Sequence, residues 1–534
     1  MMAIVGAALV VLVLVRIRDL RAEQRLMRLF DGPSTVVEVG EAHWLRRPVY
    51  EYDEGELDDD PEARLVSPSV YRERAPSDRL HITYPPDGAV FPDNFCEPKL
   101  EWADERNNVW QVTVSVDSGA EKSLAREREW RFPRGLWREV RKAGSARVVV
   151  KGCRRAGAQV EASRSVGLSV SRDPCDEYVA YRMVTPPFDV NTTPDTFFRS
   201  VSSFDERPLL LARQSYCFNC HSFSSRTPEE AGLVAFQCRF MGNVEKEVPV
   251  YFGVYDLAGG TGWRVKLPFE VQMTTFMRWS PDGRQLALSA NQKLVTYVPV
   301  VHETQYTSQP TSDVAIYDAE TGVATLVPGA SDPEVLELMP EWMPDGRRLV
   351  FCVGKPGVHP TEARMDMKVV DLAAGVNAKA VYVDGASRNG KSNYYARFSP
   401  DGRWMVFCQS LREYLIQPSS DLYIMRGDLS GGSRALECNA PFAADSWHGW
   451  SMNSKWVLFA SKRDDGVHAR VYFTHIDDAG RASPAVRLPL LVEPSASFNI
   501  PEFVPARPDV SERALFDAIN VDRPYREAKM GETP

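Results

Sequence analysis

The sequence has no excess of basic residues. It contains 63 Lys and Arg against 72 Asp and Glu, which gives a formal net charge of -9 at pH 7. Binding to nucleic acid requires clustered basic surface that displaces counterions, so this composition argues against a nucleic-acid partner. With 44% hydrophobic and 25% charged residues, the chain is neither disordered nor fibrous. Its 534 residues are enough for two or three domains, each with its own core.

Long apolar runs are also scarce. The unbroken run from Ala3 to Val15, with Met1 and Met2, is shorter than the ~20 residues that span a bilayer, and no Ala-x-Ala cleavage site follows it. We predict an uncleaved membrane anchor that continues as an amphipathic helix, together covering residues 1–30; the alternative is a buried N-terminal helix. A start codon further upstream, supplying a basic head and further apolar length, would explain both the short run and the arginines that follow it. Five arginines follow the run, and positive charge beside a membrane segment favours a cytoplasmic location for the residues after it: Arg16, Arg18, Arg21, Arg25 and Arg28.

Two segments with different patterns come next. Residues 31–78 are rich in Asp and Glu and poor in large apolar side chains, which predicts a linker. Residues 79–185 contain short runs that alternate between apolar and polar residues, which indicates an Ig-like β-sandwich. Trp102, Trp110 and Trp130 are the expected core of this sandwich.

A loose repeat fills the region from 246 to 510. Each copy has an aromatic residue, a tight turn and an apolar strand; in the turn, Pro fixes φ, Asp caps the backbone and Gly adopts the left-handed conformation. Tandem strand-turn-strand units predict a β-propeller of about six blades, so the fold class is mainly β, with a C-terminal tail at 511–534. The copies begin at Arg278, Glu341, Arg397 and Gly449, and the last has Met452 and Ser454 in place of Pro and Gly.

The run Cys217-Phe-Asn-Cys220-His221 has the spacing of a c-type haem attachment site. Two thiols three residues apart can bond to the two haem vinyl groups, and the adjacent imidazole then becomes the proximal iron ligand. Chance would produce such a string only about 0.002 times in a chain of this composition. A redox Cys-x-x-Cys pair and half of a zinc site are the alternatives, but Cys238 has no second ligand pair beside it.

We therefore predict one covalent haem c in a binding segment at 186–245. Because haem c is attached on the oxidising side of a membrane, this prediction outranks the arginine signal and gives a periplasmic, non-cytoplasmic location. The distal side of the iron decides between a closed redox carrier and an open catalytic centre. Met241 and His302 are the candidate distal ligands, with His359 a further one, whereas His448 is expected to be a buried, hydrogen-bonded propeller histidine.

Several stretches resemble a family of bacterial, membrane-anchored proteins that combine a β-sandwich, a single Cys-x-x-Cys-His motif and a TolB-like propeller. The resemblance covers most of the chain from Leu80 to Val504 and implies a haem protein without fixing a reaction. A more distant similarity in architecture is to the catalytic subunit of hydrazine synthase, which has a second haem segment that this sequence lacks. The stretches are Tyr216-Cys-Phe-Asn-Cys-His-Ser-Phe-Ser, Gly385-Ala-Ser-Arg-Asn-Gly-Lys-Ser-Asn, Ser446-Trp-His-Gly-Trp-Ser, Thr474-His-Ile-Asp and Asn499-Ile-Pro-Glu-Phe-Val.

These observations predict a membrane-anchored monohaem c-type cytochrome that exchanges electrons with a docked redox partner protein. Two alternatives stay open: a haem enzyme whose active site lies between the haem segment and the propeller, and a TolB-like binding scaffold in which the haem is structural. Whether the protein is an enzyme is left open at this point, as are the substrate, the partner and the reduction potential.

Overall fold

The structure is a computed structural model, and it divides the chain into two compact units. Unit one covers residues 80–91 and 97–172, and unit two covers 92–96 and 173 onward. The anchor and linker predicted for 1–30 and 31–78 lie outside the described residues. Within the described part of the chain, no helix has the length and apolar character needed to cross a membrane. The described ranges are 80–154, 160–185, 194–211, 216–224, 232–240, 251–269, 273–292, 296–298, 306–308, 311–358, 362–412, 416–417, 419–441, 443–491, 495–504, 506–520 and 523–531.

The described residues of unit one form two β-sheets and one helix. The three-stranded sheet has the order β1-β3-β6 and the five-stranded sheet has the order β2-β8-β7-β4-β5. Trp102 and Trp110 are buried and their rings meet edge to face, as expected of core residues, while Trp130 is only half-buried. The elements are β1 (His81–Tyr84), β2 (Ala89–Phe91), β3 (Lys99–Ala103), β4 (Val109–Val116), β5 (Gly119–Ala125), β6 (Glu129–Arg131), α1 (Arg134–Ala143), β7 (Ser145–Cys153) and β8 (Val160–Val170).

Helix α1 was not anticipated from the sequence. It follows Pro133 and ends at Gly144, whose φ of 80° is the left-handed C-cap conformation that glycine adopts without strain. Leu136, Trp137 and Val140 form its buried face. At ten residues the helix is too short to show a strong period, and its packing against Phe91 and Phe132 stabilises it.

The described residues of unit two form a β-propeller with six blades. Each blade has four antiparallel strands, two blades gain a fifth strand at the outer edge, and neighbouring blades contact each other through their innermost strands in a closed cycle. The predicted count of six blades agrees with this ring. Blade one joins β9 (Tyr178–Val184), β10 (Asp195–Ser200) and β11 (Glu206–Leu210) to β34 (Ser497–Val504) from near the C-terminus, so one blade contains strands from both ends of the unit.

Blades two to six follow in chain order. Blade two has β12 (Tyr216–Phe223), β13 (Leu233–Phe240), β14 (Tyr251–Asp256) and β15 (Thr261–Lys266); blade three has β16 (Met273–Trp279), β17 (Gln285–Gln292), β20 (Asp313–Asp318) and β21 (Val323–Leu326), with β18 (Thr296–Val298) and β19 (Tyr306–Ser308) as a hairpin. Blade four has β22 (Leu336–Trp342), β23 (Arg348–Gly354), β24 (Asp366–Asp371) and β25 (Val381–Tyr382); blade five has β26 (Ser392–Phe398), β27 (Trp404–Ser410), β28 (Asp421–Arg426) and β29 (Ser433–Ala435); and blade six has β30 (Asp445–Trp450), β31 (Trp456–Ser461), β32 (Arg470–His475) and β33 (Val486–Arg487).

The structure divides this region differently from the sequence analysis. The propeller strands begin at Tyr178, inside the predicted sandwich range, and the predicted haem segment at 186–245 supplies strands to blades one and two. These strands lack the Pro-Asp-Gly turn by which the other blades were recognised. The predicted tail contains α2 (Glu512–Ile519), β35 (Tyr525–Glu527) and β36 (Lys529–Met530), and the two strands add in parallel to the outer edges of blades two and three.

The degenerate fourth repeat copy has a structural reason. Met452 occupies the position of proline in the other copies, and its backbone N–H donates to Asp176 Oδ2 at 2.9 Å, a bond that proline could not make. Asn453 Nδ2 donates to the Pro174 carbonyl, and Trp456 Nε1 donates to the Asp173 carbonyl. This turn of blade six therefore binds the segment 173–176 that leads into blade one.

The substitution Met452→Pro tests this contact. It restores the consensus turn but removes the donor to Asp176, so we expect a loss of roughly 1 to 3 kcal/mol in the free energy of unfolding, measured by urea denaturation. In an Asp176→Ala background the same change should cost little, because the acceptor is already absent. Equal costs in the two backgrounds would contradict this role for the Met452 amide.

Candidate functional site

The Cys-x-x-Cys-His run lies on β12, the innermost strand of blade two. The pairing with β13 shifts between Asn219 and Ser222, so Cys220 and His221 together oppose a single residue in a β-bulge. Cys220 has a φ of 48°, which is left-handed and costs a non-glycine residue about 1 to 3 kcal/mol. The motif is thus held in an extended, bulged strand by the propeller around it.

The same bulge recurs in every innermost strand of the ring. In each, the register shift accompanies one left-handed residue that is not glycine, and the six side chains pack into one cluster in the central channel, which we call the plug. The Phe276 and Trp447 rings stack with centroids 6.3 Å apart, and the Tyr395 ring meets Trp447 edge-on at 4.9 Å. The plug consists of Cys220, Phe276, Met339, Tyr395, Trp447 and Ile500.

His221 follows the plug residue of its strand and is 4% exposed. Its ring packs against Phe223 and Phe236, with centroids 6.0 and 6.4 Å away, and it has a hydrogen bond to the backbone of Ile500. Burial, together with the charges of Arg182 and Arg278, lowers its pKa to about 3, so the imidazole is neutral at physiological pH. Its Nε2 has no hydrogen-bond partner within the described residues.

The remaining residues predicted to bind the haem are Cys217, Met241, His302 and His359. The backbone of Cys217 pairs with Arg239, but its side chain lies outside the described part of the structure, as do Met241, His302 and His359. Among the described residues, no group of three or more His, Cys, Asp or Glu side chains is arranged to hold a metal ion. The described side chains of the motif are therefore Cys220 and His221.

The imidazole of His221 and the thiol of Cys220 have the chemistry that a haem c group requires. A proximal histidine binds iron through one ring nitrogen while the other is hydrogen-bonded to the protein. In His221 the Ile500 backbone provides such a hydrogen bond, and Nε2 has no partner within the described residues. Cys220, one residue away, is half-buried and offers the thiol that a thioether bond requires. An orphaned, buried imidazole nitrogen otherwise costs stability, so its presence here favours a ligand-binding role.

A ring of charged side chains lies two residues beyond the plug. Glu341 Oε2 accepts from Arg278 Nε at 3.1 Å and from Arg397 Nη1 at 2.9 Å, and Glu502 Oε1 accepts from Arg278 Nη1 at 2.9 Å. Burial alone would lower the pKa of Arg278, but Glu341 and Glu502 raise it above its usual value. We call Arg278, Glu341, Arg397 and Glu502 the charge ring; Ser222 and Gly449 occupy its two remaining positions.

An aromatic residue follows each of these six positions, and three of the aromatic residues bond neighbouring blades. Trp279 Nε1 donates to the Ser222 carbonyl at 3.1 Å, and Trp342 Nε1 donates to the Arg278 carbonyl at 3.2 Å. Trp450 Nε1 donates to the Arg397 carbonyl at 3.1 Å. The turn after the aromatic residue marks four of the six copies in the sequence; the other two, at Ser222-Phe and Glu502-Phe, keep only the aromatic residue after the ring position.

A cavity of about 300 Å³ opens beside the charge ring. Its walls include the charge ring, the aromatic residues after it and the turn residues Pro281, Pro344, Pro400 and Met452. His448 also lines it but is satisfied as expected, with Nε2 2.8 Å from the Val406 carbonyl and Nδ1 3.6 Å from Cys408 Sγ. Burial raises the pKa of the Cys408 thiol to about 12, so Cys408 and His448 do not form a reactive pair.

Comparison with known proteins finds similarity in solved structures alone. No protein-family model matches the chain, and no curated protein matches it. It is similar to TolB from Acinetobacter baumannii, with 14% identity and a TM-score of 0.40 over 67% of this chain and 79% of that chain. Hydrazine synthase of Kuenenia stuttgartiensis gives 8% identity and a TM-score of 0.41 over 62% of this chain and 46% of that chain.

A third similar structure is the β-propeller domain of the Trilobed protease from Pyrococcus furiosus, with 11% identity and a TM-score of 0.33 over 60% of this chain and 96% of that chain. The closed cycle of six sheets and the order of the strands within each sheet identify unit two as a propeller.

The buried charge ring leads to a prediction on stability. Glu341→Gln removes the carboxylate that the half-buried guanidinium of Arg278 and the buried guanidinium of Arg397 share, and we expect a loss of about 3 kcal/mol in the free energy of unfolding, measured by chemical denaturation. Asp371→Asn is the matched control, because Asp371 pairs with Arg347 at the exposed surface and should matter little. Similar effects of the two variants would contradict the importance assigned to Glu341.

Proposed function

We propose that this chain is a membrane-anchored β-propeller protein that carries one haem c on the non-cytoplasmic side and exchanges electrons with a docked partner protein. Cys217 and Cys220 would hold the haem through thioether bonds, and His221 would be the proximal ligand. The observation that carries the proposal is the buried Nε2 of His221, which lacks a hydrogen-bond partner in the described part of the chain and lies beside a Cys-x-x-Cys pair.

The environment of His221 supports this role. Because its pKa is about 3, the imidazole is neutral and needs no deprotonation before it binds a metal. Phe223 and Phe236 limit the movement of the ring, and the hydrogen bond to the Ile500 backbone fixes which nitrogen is left for a ligand. The protein thus stabilises the protonation state and orientation that a proximal ligand requires.

The position of Cys220 supports attachment within the propeller. Its left-handed backbone places the thiol in the cluster with Phe276, Met339 and Trp447, at the ring's centre. A bound haem would supply one-electron chemistry at its iron. The apolar plug would keep the thioether on Cys220 away from bulk water, which is one of the ways a protein sets a reduction potential.

The proposed location follows from the chemistry of attachment and from the sequence. Haem c is attached on the oxidising side of the membrane, and the apolar run at Ala3 to Val15 supports an anchor near the N-terminus.

A second candidate is a binding scaffold in which the haem is structural. The cavity beside the charge ring favours it, because a site with convergent polar groups and aromatic walls is typical of small-ligand binding. A haem enzyme is the third reading. Electron transfer through a six-coordinate haem and catalysis at an open iron differ in one property: only the open iron binds carbon monoxide readily when reduced.

The attachment is tested by expression together with a cytochrome c maturation system. We expect one haem per chain, measured by pyridine haemochrome absorbance and by the intact mass. Cys217→Ala and Cys220→Ala should each break one thioether and reduce covalent haem severely. Cys352→Ala is the matched control, because Cys352 is a buried thiol on another blade and should leave the haem content unchanged.

Each result bears on a separate part of the proposal. A matured, folded protein without covalent haem would overturn it entirely. Resistance of the reduced haem protein to carbon monoxide supports an electron carrier, whereas ready binding would contradict electron transfer through a closed haem and favour the enzyme.

A further inference from the structure

The cavity beside the charge ring has an apolar wall and a charged wall. The indoles of Trp279, Trp342 and Trp450 line it, and hydrogen bonds to the neighbouring blade hold each of them. Two plug residues, Tyr395 and Ile500, also line the cavity. The volume of about 300 Å³ is at the lower end of the range for small-molecule sites. The cavity therefore suits a small molecule with a flat or branched apolar body.

The charged wall contains two guanidinium groups, those of Arg278 and Arg397. Arg278 donates through Nε and Nη1, and Arg397 donates to Glu341 and to the Ala396 carbonyl through Nη1 alone. Within the described residues, none of these hydrogen bonds to carboxylate or carbonyl oxygens uses Nη2, and the Arg397 guanidinium also lies over the Tyr395 ring, 3.8 Å from its centroid. Arg278 and Arg397 both line the cavity, and a pair of guanidinium groups on one cavity wall is an arrangement that binds a carboxylate.

The balance of charge in the cavity argues against a simple anion. The charge ring has two positive and two negative side chains, and Asp176 on the lining adds a further carboxylate. A ligand carboxylate alone would leave the cavity with excess negative charge in a poorly hydrated place. Glu341 accepts both arginines on Oε2, so its Oε1 is available to a ligand cation in the described structure. A ligand that carries a positive group as well as the carboxylate would add no net charge to the cavity.

We propose that this cavity binds a zwitterionic α-amino acid with an apolar side chain. The carboxylate would accept from the Nη2 groups of Arg278 and Arg397, and the ammonium would donate to Glu341 Oε1. The tryptophan walls would surround the side chain. None of the polar contacts of this proposed site involves Cys217, Cys220 or His221.

Isothermal titration calorimetry of the purified full-length protein tests the head group directly. L-phenylalanine, 2-phenylethylammonium and 3-phenylpropionate share the same phenyl ring. Phenylalanine has both charged groups, 2-phenylethylammonium has the ammonium alone and 3-phenylpropionate has the carboxylate alone. We expect phenylalanine to bind at least about tenfold more tightly than either of the others. Equal or tighter binding of a singly charged probe, or binding of none of the three, would overturn the proposal. Each of these results is obtained with the unmodified protein.

Arg278→Lys tests the donors. Lysine keeps the positive charge but has all its donors on one nitrogen and lacks the planar fork that reaches both glutamates and a ligand, so the affinity for phenylalanine should fall by about tenfold or more. Arg347→Lys is the matched control, because Arg347 pairs with Asp371 on the surface and does not line the cavity. The affinity of this variant for phenylalanine should be unchanged. An unchanged affinity in folded Arg278→Lys protein would overturn the assignment of the carboxylate to Arg278.

Discussion

One backbone constraint recurs in the propeller: every innermost strand contains a bulge with a left-handed residue that is not glycine. The bulge turns consecutive side chains to new directions, so the plug, the residue after it and the charge ring appear at matching heights in all six blades. A left-handed residue is strained, and it persists because the strands on either side fix it. The central channel owes its layered chemistry to this repeated backbone geometry more than to any single residue.

The layered arrangement gives the Cys-x-x-Cys-His run two environments. Cys220 belongs to the apolar plug, whereas His221 lies closer to the charge ring and is influenced by Arg278. The neutral state of His221 is a product of both, since burial and a nearby positive charge each disfavour the imidazolium ion. His448 occupies the equivalent position in blade six, but there both nitrogens have partners. The same fold position thus gives a satisfied histidine in one blade and an orphaned nitrogen in another.

Much of the architecture could be predicted from local patterns. The Pro-Asp-Gly turns indicated blades three to five because the turn chemistry is confined to a few neighbouring residues. Blade one could not be found this way, since it pairs β34 with β9, more than 300 residues apart, and no local signal encodes that contact. Helix α1 was missed because tertiary packing, not periodicity, stabilises so short a segment.

The candidate site was predictable only in part. The spacing of Cys217, Cys220 and His221 is a covalent requirement that the sequence displays directly. The partnership of Arg278 with Glu341 and Glu502 is not visible in sequence, because it joins equivalent positions of three blades. Recognising that each repeat copy begins with a ring position would have brought these residues together.

The closure of blade one also has a consequence for the order of events during synthesis. Residues 497–504 complete the ring, so the propeller stays an open arc until residue 504 has emerged. The strand with Cys217 and Cys220 emerges far earlier and is exposed at the interior of that arc for the intervening time. Chemical modification of these thiols therefore has a window that ends when the last innermost strand pairs with the first blade.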